Sequence, residues 1–143
     1  MKIAIIGYSG AGKSTLAKKL SHCYSIPKLH MDTLQFQPGW QDSDREWMLT
    51  EMKNFLTKHE TWIIDGNYSW CYYEERMQEA DQIIFLNFSR WNCLLRAFKR
   101  YLTYRGKVRE SMAAGCPERF DWDFVRWILW DGRTKNAKER YQR

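Results

Sequence analysis

One stretch near the amino terminus, KIAIIGYSGAGKSTLAKKL at residues 2–20, limits what the whole chain can fold into. KIAIIG is an unbroken apolar run rich in isoleucine and closed by glycine, the pattern of a strand buried on both faces in a parallel sheet. From Lys13 the apolar positions Leu16, Ala17 and Leu20 recur at helical spacing. The turn between them places Gly7, Gly12, Lys13 and Ser14 in the pattern G-x-x-x-x-G-K-[ST], within the strand-to-helix setting that this pattern requires. Its glycines let the backbone wrap round phosphate oxygens. Residues Gly7, Ser9, Gly10, Ala11, Gly12, Lys13, Ser14 and Thr15, with the helix N-terminus, then present a cradle for the anion. Lys13 reaches the outer phosphates and the Ser14 hydroxyl ligates Mg²⁺, so ATP with Mg²⁺ is the expected ligand. The plain alternative is a glycine-rich turn capped by Ser14.

Downstream, PKLHMD reads as a short second strand ending at Asp32, and TLQFQPGWQ as a loop because of its Pro-Gly pair. SDRE at Ser43 to Glu46 has the form of a capping box, with Ser43 accepting from a helix-end N–H, and opens a helix to about Lys58. TWIID repeats the apolar strand pattern and stops at Asp65 and Gly66. A helix over about 72–80 and a fourth strand, QIIFLNF, follow. This order predicts a three-layer α/β fold, an open parallel sheet with helices on both faces. After it come a basic helix at 91–105, a loop near 106–117 and a Trp-rich helix opening at Asp121. There FVRWILW reads as helix, not a fifth strand, because Val125, Ile128 and Leu129 recur helically and Asp121 and Asp123 suit a first turn. On a helical wheel the basic segment divides into an apolar core face, Trp91, Leu94, Leu95, Phe98, Tyr101 and Leu102, and an opposite face of Arg96, Lys99 and Arg100.

A phosphate loop of this kind shares its metal with an acid at the end of a neighbouring strand. Asp65 ends an apolar strand as such an acid should, the alternative being a turn Asp before Gly66. Asp32 ends another strand, where ligands of open α/β sheets gather, the alternative being a cap on the next segment. His30 reads as buried strand filler, and His22 and His59 as surface helix residues. No His/Cys spacing points to zinc and no G-x-S-x-G pattern to a hydrolase nucleophile.

The chain of 143 residues is one domain's worth and carries a net charge of +6 that is unevenly spread. Residues 1–86 hold nine basic against eleven acidic residues, and residues 87–143 hold fourteen against six. Such asymmetry fits a phosphate-bearing ligand or a nucleic acid against the second half, or a solvated basic face. No zinc finger, basic zipper or helix-turn-helix pattern accompanies it. The four cysteines form no C-x-x-C pair and are expected as reduced thiols in the cytoplasm. No apolar run reaches the roughly 18 residues of a membrane span.

Taken in order, the phosphate loop, the DT at 32–33, WIIDGNY and the arginine-rich segment after IIFLNF resemble adenylate-kinase-like P-loop kinases. More specifically, IIGYSGAGKSTLAKKL, LHMDTLQFQPGW, WIIDGNYS, ADQIIFLNF and YRGKVRESMAAGC resemble the bacterial family of DNA topology modulation proteins, over essentially the whole chain. The resemblance implies one P-loop kinase-like domain with a sheet of nucleoside-monophosphate-kinase type, an acceptor segment over about 32–60 and a lid-like segment over about 90–120. It implies Lys13 as the phosphate lysine, Ser14 and Asp65 on the Mg²⁺ side, and Arg90, Arg96, Arg100 and Arg105 as lid arginines, with Arg133 a further candidate for the nucleotide. By analogy with small-molecule kinases of this fold, Asp32 would orient or deprotonate an acceptor. Phe36, Trp40 and Tyr68 either wall that acceptor's pocket or belong to the core.

Two departures from the kinase pattern bear on function. DGNY stands where adenylate kinases carry DGFPR, so the arginine that grips a nucleoside monophosphate is absent. The chain closes on GRTKNAKERYQR, polar and basic, where kinases of this fold finish with a strand, so a last sheet strand is expected to be missing. The expected activity is phosphorylation of a small hydroxyl- or phosphate-bearing acceptor. The alternative, suggested by the family's name, is a nucleotide-binding regulator that contacts nucleic acid through the basic second half. A membrane partner is not expected, because the basic helix sits between core elements.

Overall fold

Side chains of successive strand residues point to opposite faces of a sheet, and that alternation accounts for the layering of this chain. The computed structural model describes residues 1–134. Its parallel sheet has the order β2–β5–β1–β6, formed by β1 (Lys2–Gly7), β2 (Lys28–His30), β5 (Trp62–Asp65) and β6 (Gln82–Leu86). Ile3 and Ile5 of β1 join Ile63 on one face, against Leu16, Ala17 and Leu20 of helix α1 (Lys13–Tyr24). Ala4 joins Trp62 and Ile64 on the other, against Met48 and Met52 of helix α3 (Arg45–Lys58). Ile3 to Ile6 of β1 and Trp62 to Ile64 of β5 form unbroken apolar runs because both faces are covered there. Ile5, Ile63 and Ile64 are fully buried, each contributing about 1.5–3 kcal/mol by leaving water.

Between β2 and α3 the structure departs from the expected loop. β2 stops at His30, not at Asp32, which falls in the first turn of a short helix, α2 (Met31–Gln35), and the Pro-Gly pair turns a two-stranded hairpin of β3 (Phe36–Gln37) and β4 (Gln41–Asp42). Strands of two residues are too short to show a period. The cap of α3 also shifts by one residue: Asp44, not Ser43, accepts from the Trp47 N–H at 2.9 Å. The Ser43 N–H is engaged with the Gln35 carbonyl at 2.8 Å, which holds Ser43 to the hairpin.

Helix α4 (Tyr73–Glu79) precedes β6, and helix α5 (Arg90–Tyr104) follows it. Helix α6 (Trp122–Leu129) starts on an Asp121 cap, as expected. The orientation of α5 corrects the helical-wheel expectation. Its buried residues are Cys93 and Ala97, packed on Tyr8 and Ala11 of the phosphate loop and on Ile128. Trp91, Leu95, Phe98 and Leu102 are exposed, while Leu94 and Tyr101 are half-buried. Close backbone approach decides this: a Cβ on Gly10 would lie 2.5 Å from the Cys93 carbonyl oxygen, so only the small side of the helix fits against the loop.

Among the described residues no helix is long and apolar enough to cross a membrane. The described residues supply four strands to the parallel sheet. Most of the polar carboxyl-terminal segment, from residue 135, lies outside them.

Candidate active site

Gly7, His30, Asp65 and Leu86, the last residues of the four parallel strands, end beside a cleft of about 1000 Å³. That volume is at the upper end of the roughly 300–1,000 Å³ common for small-molecule pockets. The phosphate loop forms one wall, with Ser9 to Thr15 all lining it. Gly10 and Gly12 hold φ of 78° and 97°, a region that glycine enters without steric cost. The Lys13 amine donates to the carbonyls of Gly7 at 2.9 Å and Tyr8 at 3.1 Å, so Gly7 acts through its carbonyl without lining the cleft. Loss of water around the amine pulls Lys13 below the ordinary lysine value, with Asp32 and Asp65 opposing that shift.

Asp32 and Asp65 line the same cleft. Strand register sets His30 beside Asp65, and His30 Nδ1 lies 2.7 Å from Asp65 Oδ1, both residues buried. An ionised carboxylate only accepts, so the imidazole donates to Asp65. His30 is therefore the partner of Asp65 and not simple filler. Asp32 Oδ1 accepts from the Tyr68 hydroxyl at 2.5 Å. Burial, reinforced by Asp32, pushes the Tyr68 phenol far above its ordinary value, which keeps it a donor.

Two residues without a prior role fix the loop that follows Asp65. The Asn67 side chain accepts from the Gly7 N–H at 3.0 Å and donates to the Gly7 carbonyl at 2.6 Å, tying this loop to the phosphate loop. Arg76 is fully buried and donates to the carbonyls of Gly66, Tyr68, Cys71 and Tyr72 at 3.1–3.3 Å. Burial pulls its guanidinium down to about 10.

Ser14, Asp65 and Asp32 bring one hydroxyl and two carboxylates to the same cleft. Hard oxygen donors in this number suit Mg²⁺, which is held by one or two carboxylates with phosphate and water oxygens completing its shell. Among the described residues no cluster of three His, Cys, Asp or Glu could hold a metal unaided.

Of the expected arginines, Arg96 and Arg100 reach the cleft. Arg96 Nη1 donates to the Ala11 carbonyl at 3.1 Å and its guanidinium lies 4.0 Å over the Phe88 ring. Arg100 pairs with Glu118 at 2.6 Å, and Arg109 takes the other Glu118 oxygen at 2.5 Å. Burial and the charge of Arg109 pull Arg100 below its ordinary value, with Glu118 opposing. Arg90 and Arg105 are exposed at the two ends of α5, outside the cleft, Arg105 lying 5.9 Å over Tyr101. Arg133 turns into the fold. It donates to the carbonyls of Phe88 at 2.8 Å and Ile128 at 3.1 Å, and stacks 3.9 Å over Tyr8, bracing the phosphate loop without lining the cleft.

Sequence reasoning missed Asn67, Arg76, Arg109, Glu118 and Arg119. The last three lie in RESMAAGCPER, where alternating charges in a glycine-containing loop were the available signal. Phe36, Trp40 and Tyr68 all line the cleft.

No protein-family model matches the chain, and no curated protein matches it in sequence. Solved structures do match. A gluconokinase from Sinorhizobium meliloti 1021 is 19% identical with a TM-score of 0.53, over 94% of this chain and 77% of that one. A shikimate kinase from Bacteroides thetaiotaomicron is 18% identical with a TM-score of 0.58, over 99% and 82%. A deoxyadenosine kinase from M. mycoides is 18% identical with a TM-score of 0.51, over 99% and 84%. With its phosphate loop at the head of a parallel sheet flanked by helices on both faces, this chain has the fold of the P-loop NTPase kinases.

Proposed function

We propose that this chain is an ATP-dependent small-molecule kinase, a single domain that transfers the γ-phosphoryl group to a hydroxyl- or phosphate-bearing acceptor. The observation that carries the reading is one cleft lined by Lys13 and Ser14 of the phosphate loop, by Asp65 at the end of β5 and Asp32 in the first turn of α2, and by Arg96 and Arg100. Phosphoryl transfer asks a protein mainly to position its reactants and neutralise spreading charge. Lys13 would leave the loop carbonyls for the outer phosphates. Ser14 and Asp65, the latter oriented by His30, would hold Mg²⁺, which when bound offsets charge on the phosphate oxygens. Asp32 has one oxygen committed to Tyr68 and would offer the other to the acceptor, orienting it or taking its proton. Arg96 and Arg100 would stabilise the phosphoryl group in transfer.

Kinases among the structural neighbours support this reading. They give no support to the nucleic-acid alternative drawn from the resemblance to DNA topology modulation proteins. A cytoplasmic location belongs to the proposal. The test is a screen of nucleosides, nucleotides and small metabolites for acceptor-dependent ADP release, with Lys13→Ala as control. The expected outcome is release with one acceptor class and a loss of roughly 100- to 1,000-fold in the variant, its circular dichroism unchanged. Full activity in Lys13→Ala would remove the mechanism.

A further inference from the structure

The acceptor side of the cleft holds a feature that the phosphate loop does not explain. Trp40, in the β3–β4 hairpin, has a φ of 63°, a left-handed conformation that costs a bulky residue about 1–3 kcal/mol and persists where the surroundings enforce it. Phe36 meets its ring edge-on at 5.2 Å and the Arg119 guanidinium covers it at 5.0 Å. The neighbouring Gly39 N–H donates to the Gly115 carbonyl at 3.0 Å. An indole and a guanidinium are thus held together in the cleft that Asp32 also lines.

The pairing of the charges there is uneven. Arg100, Arg109 and Arg119 line the cleft together with Asp32, Asp65, Glu118 and Asp131. Glu118 is shared by Arg100 and Arg109, and Asp32 is engaged by Tyr68. Arg119 pairs at 2.8 Å with Asp121, which is not part of the lining, and their side chains are 44% and 45% exposed. Exposed pairs of this kind contribute about 0–1 kcal/mol, so a ligand can displace Asp121 at little cost. A guanidinium stacked on an indole presents its N–H edge to a planar or tetrahedral oxyanion.

Building on the kinase reading, we propose that Arg119, seated on Trp40, determines acceptor specificity, and that the acceptor is a small organic anion carrying a hydroxyl group. Its carboxylate or phosphate meets Arg119 and its hydroxyl meets Asp32. In transfer the hydroxyl oxygen bonds to the γ-phosphorus of ATP while the bond from that phosphorus to the bridging oxygen breaks. ADP leaves with that bond's electron pair, and the hydroxyl proton passes to Asp32. A neutral polyol has no charge with which to take Arg119 from Asp121.

The test uses the full chain and matched sets on one carbon skeleton: glycerol, glycerate and glycerol 3-phosphate, then glucose, gluconate and glucose 6-phosphate. Calorimetric binding, with a non-hydrolysable ATP analogue present, is measured beside ADP release. The expected result is that an acid or a phosphate ester binds and stimulates release where its polyol does not, the two arms telling carboxylate from phosphate. Arg119→Ala should raise the Kd and KM for that anion roughly 10- to 100-fold, as loss of a charged hydrogen bond would, with the KM for ATP unchanged. Arg119→Lys should recover part of the loss, and thermal melting checks that each variant folds.

Equal use of polyol and anion, unchanged anion affinity in Arg119→Ala, or no anion binding at all overturns the proposal. Anion binding that depends on Arg119 without any ADP release keeps this site and removes the kinase reading. ADP release driven by polyols, and lost in Lys13→Ala, does the reverse.

Discussion

Asp65 accepts from His30 on one oxygen and lines the cleft, so charge and geometry at this position can be separated. Asp65→Asn keeps an oxygen for the imidazole and loses the negative charge. Affinity for Mg²⁺–ATP is expected to fall about 10-fold, roughly 1.4 kcal/mol, while affinity for ATP in EDTA stays near wild type; titration with and without metal reads both. An unchanged Mg²⁺–ATP affinity would place the metal elsewhere. Arg96 and Arg100 call for separate variants. Arg96→Ala loses one carbonyl contact and a ring stack, and turnover should drop roughly 100-fold with little change in melting temperature. Arg100→Ala also leaves the nearly buried Glu118 with Arg109 alone, so kinetics and melting together should show both turnover and stability falling. At this scale the phosphate loop and Asp65 were legible in the sequence, because spacing along one strand and one turn fixes them. His30 was not, because its role arises from the register of β2 beside β5, 35 residues away.

The elements show a similar division. Four strands and their helices announce themselves through runs and periods, whereas the β3–β4 hairpin is too short to have a period and α5 hides its orientation. A helical wheel separates apolar from basic residues, but it cannot tell that Cys93 and Ala97 face inward until a glycine loop is found pressing on them. The loop after β5 depends on α4 in the same hidden way, since Arg76 gathers four of the loop's carbonyls. Arg76→Met should cost about 3 kcal/mol by leaving buried carbonyls without donors, read as a lower urea midpoint. It should also weaken whatever Asp32 does, because Tyr68 rides on that loop. An unaltered midpoint would mean that the loop holds its shape without the guanidinium.

Across the whole molecule the uneven charge seen in the sequence becomes a meeting line. Asp32 and Asp65 of the acidic front half line one cleft with Arg96, Arg100, Arg109 and Arg119 of the basic back half. The asymmetry itself was legible; which anion it serves was not, because only the fold brings the two halves together. The segment after α5 is fastened back to the front half by Glu110, paired with Lys18 at 2.6 Å and Lys28 at 2.9 Å. Hydrogen bonds from Lys18 and Lys28 hold its carboxyl near 2, against 4.5 without them. The stabilisation is therefore full above about pH 4.5 and lost as pH falls through about 2. Glu110 is 54% exposed, so water screens the pairs and limits the effect to about 1 kcal/mol or less. Melting curves from about pH 5 to 2 at low salt should be flatter for Glu110→Gln than for wild type, and the difference should shrink as salt is added. An identical acid limb would show the pairs to be idle.

The same segment is stitched to the β3–β4 hairpin. Gly115 lies so close to Pro38 that a Cβ would stand 2.7 Å from it, the Gly39 N–H donates to the Gly115 carbonyl, and the Cys116 thiol donates to the Gln37 carbonyl at 3.1 Å. These three contacts form one seam, so under the proposed function the segment after α5 and the β3–β4 hairpin would swing together as a single panel, not as two independent flaps.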